Sequence, residues 1–310
     1  MKSQRREILR LLGVSGVTFA SGLWGCAGRP GEATRGVRGA SESPTGNRPP
    51  GPDFFFLQLS DTHWGYEGAA NPDAARTLRD TIATINAVSL RPRFVIFTGD
   101  LTHSTDDPAL RRARMKEFKA IVRELAVEEL RYLPGEHDAA LDGGEAYREF
   151  FGDTQYAFQH HGVFFLALDN VSLPGAILGE SQLAWLAQEV ARVPETAPLV
   201  VFAHRPLFDL YPAWEWSTKD GARAVAILQR HPNVSVFYGH IHREHEQRTG
   251  TVVHRAARSL VFPLPAPGSV AKKAPLGWDP QSPDHGLGYR EVARERSALH
   301  VRERPFTRRG

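Results

Sequence analysis

The feature that most constrains this chain recurs from residue 54 to residue 242: a short apolar run that leads at once into a cluster of Asp, His and Gly. Phe54–Leu59 leads into Ser60-Asp61-Thr62-His63, and Phe94–Phe97 into Thr98-Gly99-Asp100-Leu101-Thr102-His103. Leu130–Leu133 leads into Pro134-Gly135-Glu136-His137-Asp138. Leu199–Phe202 leads into Ala203-His204-Arg205-Pro206, and Val234–Tyr238 into Gly239-His240-Ile241-His242. Apolar runs this short, bounded by turn residues, read as buried strands. Helices are expected from the Asn71-Pro72-Asp73 start signal to about Leu90, from Pro108 to Ala126, from Ser181 to Val193 and from Gly221 to Arg230. A hairpin is expected from Tyr156 to Leu168, and a last strand near Ala298–Val301. Strand and helix therefore alternate, as in an α/β domain. In such a sheet, ligands collect beyond the carboxyl ends of the strands, which is where the five clusters fall.

Asp and neutral His ligate zinc, iron and manganese. In Asp-x-His and His-x-His, both side chains can reach a metal when the chain turns away from strand alternation. With a single cysteine, Cys26, no disulfide framework, cysteine-rich zinc site or iron–sulfur cluster is available. Each cluster alone is a weak signal; the five in this order form a strong one.

This order resembles the calcineurin-like metallophosphoesterase superfamily over residues 54–260. The resemblance implies a four-layer αββα sandwich of two mixed β-sheets with two metal ions (Fe, Mn or Zn) at its edge. It implies that Asp61, His63 and His242 hold the first ion, that His204 and His240 hold the second, and that Asp100 bridges them. A hydroxide held between the ions would attack a phosphate mono- or diester. His137 would serve as general acid or electrostatic stabiliser for the leaving oxygen. Arg205 is a candidate phosphate contact, and Asp106, Asp107 and Asp138 are candidates for orienting His137. His103 is expected to line the cleft or cap a turn. His245 and His254 read as ordinary surface or sheet residues. Trp214 and Trp216 are expected either to stack on substrate or to pack.

Glu136 departs from the superfamily, which has a neutral asparagine ligand there. A carboxylate ligates well but repels phosphate, so three carboxylates face the ions in place of two. A more highly charged ion such as Fe³⁺ would offset the change. The alternative is a degenerate metal-binding or sensor protein with little catalysis. A metallohydrolase acting on something other than phosphate is a further alternative, one that would not need His137.

The 310 residues divide into an export signal over 1–26, a tether over 27–52, a phosphoesterase domain over 53–262 and a Pro-rich extension with a closing strand over 263–310. Arg5-Arg6 ahead of an uncharged run from Leu11 to Gly25 resembles a twin-arginine signal, and Leu23-Trp24-Gly25-Cys26 resembles a lipoprotein box. The expectation is an exported protein facing the periplasm or exterior and touching the membrane only through a lipid on Cys26. Lys2, Arg5, Arg6 and Arg10 against Glu7 account for the whole net charge of +3. No basic stripe with interleaved aromatics marks nucleic-acid binding, and no oligomer signal is visible. The substrate expected is a phosphate ester.

Overall fold

The computed structural model describes residues 54–296 and 298–308. The expected export signal, Cys26 and tether lie outside the described residues.

Period-two alternation on the central strands builds the layers. On β1 (Phe54–Leu59), Phe55, Leu57 and Leu59 face one way and Phe54 and Phe56 the other. The first set packs on Leu78, Ile82 and Ile85 of α1 (Ala74–Asn86) and on Met115, Phe118 and Val122 of α2 (Pro108–Val122). The second set packs between the sheets, where the rings of Phe56 and Phe94 stack 4.7 Å apart. β2 (Val95–Thr98) divides in the same way, and β3 (Leu130–Leu133) runs parallel beside it.

The second sheet mirrors the first. On β6 (Leu199–Phe202), Val200 and Phe202 point between the sheets. Leu199 and Val201 point outward to α5 (Gly179–Arg192) and α6 (Gly221–Leu228). Burial on both faces explains why these strands read as unbroken apolar runs rather than alternating ones. The second sheet continues through β4 (Tyr156–His160), β5 (Val163–Ala167), β7 (Val234–Tyr238), β8 (His245–Thr249) and β9 (Val252–Ala256), in the order β4-β5-β6-β7-β9-β8. The result is the expected αββα sandwich of two mixed sheets.

The first sheet has the order β11-β10-β1-β2-β3, with β10 (Gly288–Glu295) and β11 (Ala298–Pro305) forming a hairpin that pairs antiparallel to β1. Sequence pattern anticipates the start of β11 but not β10, half of which is charged. Its Arg290 is buried: it donates to the carbonyls of Arg255 and Ala256 and to Gln58 Oε1, so an ionic side chain ties the two sheets together. The long helices end earlier than periodicity suggests, α1 at Asn86 and α2 at Val122. Two short helices, α3 (Glu136–Ala139) and α4 (Glu145–Phe151), lie where no helix is expected. No described helix is long and apolar enough to cross a membrane.

Both sheets direct the carboxyl ends of their parallel strands to one edge. β8 and β9 carry His245 and His254; of these, His254 is fully buried and neither ring nitrogen has a hydrogen-bond partner among the described residues. Burial, and then His245, push its pKa from 6.5 down to about 4. Between those values the unfolded chain binds a proton that the folded chain refuses, so stability falls as pH drops through that window. His254→Leu is expected to flatten the pH dependence of the urea midpoint there, with a gain of roughly 3 kcal/mol near the acid end. An unchanged slope would show that His254 is not the group responsible.

Candidate metal centre

The ligand-bearing turns are built from backbone that side chains ordinarily avoid. Asp61, His63, Asp100, His240 and His242 have φ of 54°, 43°, 49°, 65° and 51°, all in the left-handed region. Such conformations cost energy and gather at functional sites. Here they break strand alternation, so that Asp61 and His63, and His240 and His242, serve one edge. Glycines allow the turns to approach one another. A Cβ on Gly135 would overlap the Asp100 carboxylate, and one on Gly239 would overlap Ser60 and Asp61.

Two ligand clusters result, and they share one residue. Asp61, His63, Asp100 and His242 form the first; Asp100, Glu136, His204 and His240 form the second. In the first, His63 Nε2 lies 3.4 Å from Asp100 Oδ2 and 3.4 Å from His242 Nε2, and His242 Nε2 lies 3.3 Å from Asp61 Oδ1. In the second, His204 Nε2 lies 3.4 Å from Asp100 Oδ2 and 2.9 Å from Glu136 Oε2, and His240 Nδ1 lies 2.8 Å from Glu136 Oε1.

The donor set fits cations. His204 Nδ1–H donates to the Thr98 carbonyl at 2.8 Å and His242 Nδ1–H to that of Phe262 at 2.8 Å, so both lone pairs at Nε2 point inward. Among the described residues, buried His204 Nε2 and Glu136 Oε2 have no hydrogen-bond partner although they lie 2.9 Å apart. Burial and Glu136 press the Asp100 carboxyl upward, but His204 and His137 outweigh them and hold it below its ordinary range. His204 is raised against its burial by Asp100 and Glu136. Asp100 and Glu136 thus surround these imidazoles with the negative field that a cation needs.

The flanking residues divide unevenly from expectation. His137 is half-buried; its ring stands 4.5 Å from that of His63, and its Nδ1 accepts from the Ser104 N–H at 3.2 Å. That bond places the ring proton on Nε2. Asp138 does not orient His137. Its carboxylate accepts from the N–H groups of Leu101, Thr102 and Gly135, which makes it a brace between two ligand loops, and burial and then Asp100 push its pKa up to about 6. Asp107 caps α2. His103 stacks on His137 and puts Nδ1 3.3 Å from His63 Nδ1. Burial, then His137 and Arg114, push its pKa down to about 4.

Arg205 Nε lies 3.6 Å from Glu136 Oε2, and both residues line a cleft of about 590 Å³ with Leu173, Asp209 and Lys219. A larger groove of about 900 Å³, lined by Arg255, Arg290 and Glu303 among others, contains none of the ligands. Trp214 and Trp216 are buried against Tyr238, Ile241 and Phe262 and pack rather than face substrate. Asn170 is a residue that sequence reading missed. It is fully buried; its Oδ1 accepts from the His204 and Arg205 N–H groups and its Nδ2 donates to the Arg205 carbonyl. Its signal was visible: Asp169-Asn170 follows the apolar run of β5 as the other polar clusters follow theirs.

Fold and site together define a dinuclear-metal phosphoesterase class. The family model for calcineurin-like phosphoesterases matches residues 56–244, and the chain belongs to that family. The family is one of phosphoesterases that depend on two metal ions, and the two clusters supply residues that could hold such ions here. It is 32% identical over 210 residues to a probable cyclic nucleotide phosphodiesterase of Rhodococcus erythropolis, a match covering 62% of this chain and 66% of that one. It is 28% identical over 222 residues to the mouse serine/threonine-protein phosphatase CPPED1, covering 61% and 70%. Among solved structures it resembles a dimetal phosphatase from Danio rerio, with a TM-score of 0.60 at 14% identity, covering 82% of this chain and 97% of that one.

Gly135→Ala should push Asp100 out of both clusters. The expected outcome is loss of at least one bound cation per chain by elemental analysis with the fold retained by circular dichroism; full cation content would show that the close approach is dispensable.

Proposed function

We propose that the chain hydrolyses phosphate mono- or diesters at the paired clusters, with Asp61, His63 and His242 holding one ion, His204, His240 and Glu136 the other, and Asp100 between them. The observation that carries this reading is the pair of buried ligand sets joined through Asp100, with His137 beside them. Mixed imidazole and carboxylate donors suit Fe, Mn or Zn. When bound, two such ions lower the pKa of water and neutralise phosphate charge. His137 turns Nε2–H toward the leaving oxygen while Ser104 holds Nδ1, so it works as a fixed hydrogen-bond donor to charge developing there. The names of the relatives divide between phosphodiesterase and phosphatase, and both ester classes stay within the proposal. Completeness of both ligand sets speaks against a degenerate sensor. We also read the chain as exported through its Arg5-Arg6 signal and lipidated at Cys26.

Assays with Mn²⁺, Fe²⁺ or Zn²⁺ should show hydrolysis of a phosphomonoester or a phosphodiester that Asp61→Ala abolishes; equal activity in that variant would overturn the assignment. His137→Ala should lower kcat about 10²- to 10⁴-fold with cations retained. Its loss should be greater for an alkyl ester than for a nitrophenyl ester, whose leaving oxygen needs less help. A uniform loss would remove His137 from the leaving-group role.

A further inference from the structure

Glu136 puts a third carboxylate among the ligand clusters, and the chain carries its own answer to that charge. The Glu136 oxygens lie 2.8 Å from His240 Nδ1 and 2.9 Å from His204 Nε2, so the carboxylate stands within the second cluster. Arg205 is pinned at its backbone, where Asn170 bonds both its N–H and its carbonyl. Its side chain, 11% exposed, brings Nε within 3.6 Å of Glu136 Oε2, and buried Nε has no hydrogen-bond partner among the described residues. Arg205 and Glu136 together line the cleft that adjoins the clusters.

Three carboxylates against two divalent ions leave one positive charge to attract phosphate, where a neutral amide at position 136 would leave two. Arg205 restores the second. Resting on the paired-cation reading above, we infer that Arg205 is the built-in counterion of Glu136: Glu136 holds the second cation, and Arg205 supplies the phosphate attraction that the carboxylate removes. Two divalent ions then suffice without a trivalent one. Arginine suits the task because its planar fork can face a carboxylate and a phosphoryl group together. The pair makes a phosphate seat whose specificity for a phosphoryl group resides in a side chain as well as in the ions.

The test separates charge from packing, because the counterion has opposite effects on the two ligands. The purified protein is stripped with a chelator, titrated calorimetrically with Mn²⁺, and then titrated with inorganic phosphate. Wild type should bind two Mn²⁺. Arg205→Gln should bind the second Mn²⁺ more tightly and phosphate more weakly, each by about tenfold, the effect of one nearby charge at solvent-like screening. Arg205→Lys should keep cation affinity within about twofold of wild type, since the charge is retained. Lys219→Gln, in the same cleft, should leave the second Mn²⁺ unchanged. In the Glu136→Asn background, where nothing holds the guanidinium, Arg205→Gln should change either affinity by less than about threefold. The inference is overturned if Arg205→Gln weakens both ligands together, if its effects are equal in the two backgrounds, if Lys219→Gln matches it, or if occupancy requires a trivalent ion. A wild-type protein that binds no Mn²⁺, Fe²⁺ or Zn²⁺ would instead sink the paired-cation reading, and this inference with it.

Discussion

Asp100 is the group on which the rest of the site depends. One buried carboxylate stands 3.4 Å from His63 on one side and 3.4 Å from His204 on the other, and so joins two ligand sets, each drawn from turns of both sheets. Holding it there takes a left-handed turn at Asp100, the absence of a side chain at Gly135, and the His137 N–H donating to its Oδ1. Asp138 then ties the Leu101 and Thr102 backbone to that of Gly135. A carboxylate left unpaired at such depth would be costly, so the loops make sense as a scaffold for positive charge.

The scaffold works because the two sheets are rigid and closely packed. Phe56, Phe94, Phe165, Phe202 and Phe237 fill the space between them with stacked and edge-on rings, which fixes the distance between the strand ends that carry the ligands. Strain at five ligand residues is tolerable only on such a base. Second contacts complete the order: the Thr98 and Phe262 carbonyls choose the tautomers of His204 and His242.

Much of this was legible in the residues. Apolar runs located the strands well, because doubly buried strands leave no polar alternation to confuse them, and the Asp and His clusters behind them named the ligands. Helix ends were less legible: α2 stops four residues short of its apolar pattern at a boundary that tertiary contacts decide. β10 was hidden because Arg290 looks like a surface charge until its carbonyl partners on the other sheet are seen. Asp138 read as a partner of His137 because they adjoin in sequence, yet adjacent residues on α3 point different ways and its carboxylate turns to backbone instead.

What the sequence by itself determined is chemistry: which residue types are present to bind cations, the order of strands that bears them, and the unusual carboxylate at Glu136. Only the tertiary structure decided geometry: that one Asp100 oxygen stands 3.4 Å from both His63 and His204, that Asn170 pins the Arg205 backbone, and that Arg205 faces Glu136. The physical reason is range. Strand formation and ligand type follow from neighbours along the chain, whereas an ion pair between residues 136 and 205 exists only once two sheets have packed and brought separate turns to within hydrogen-bonding distance of one another.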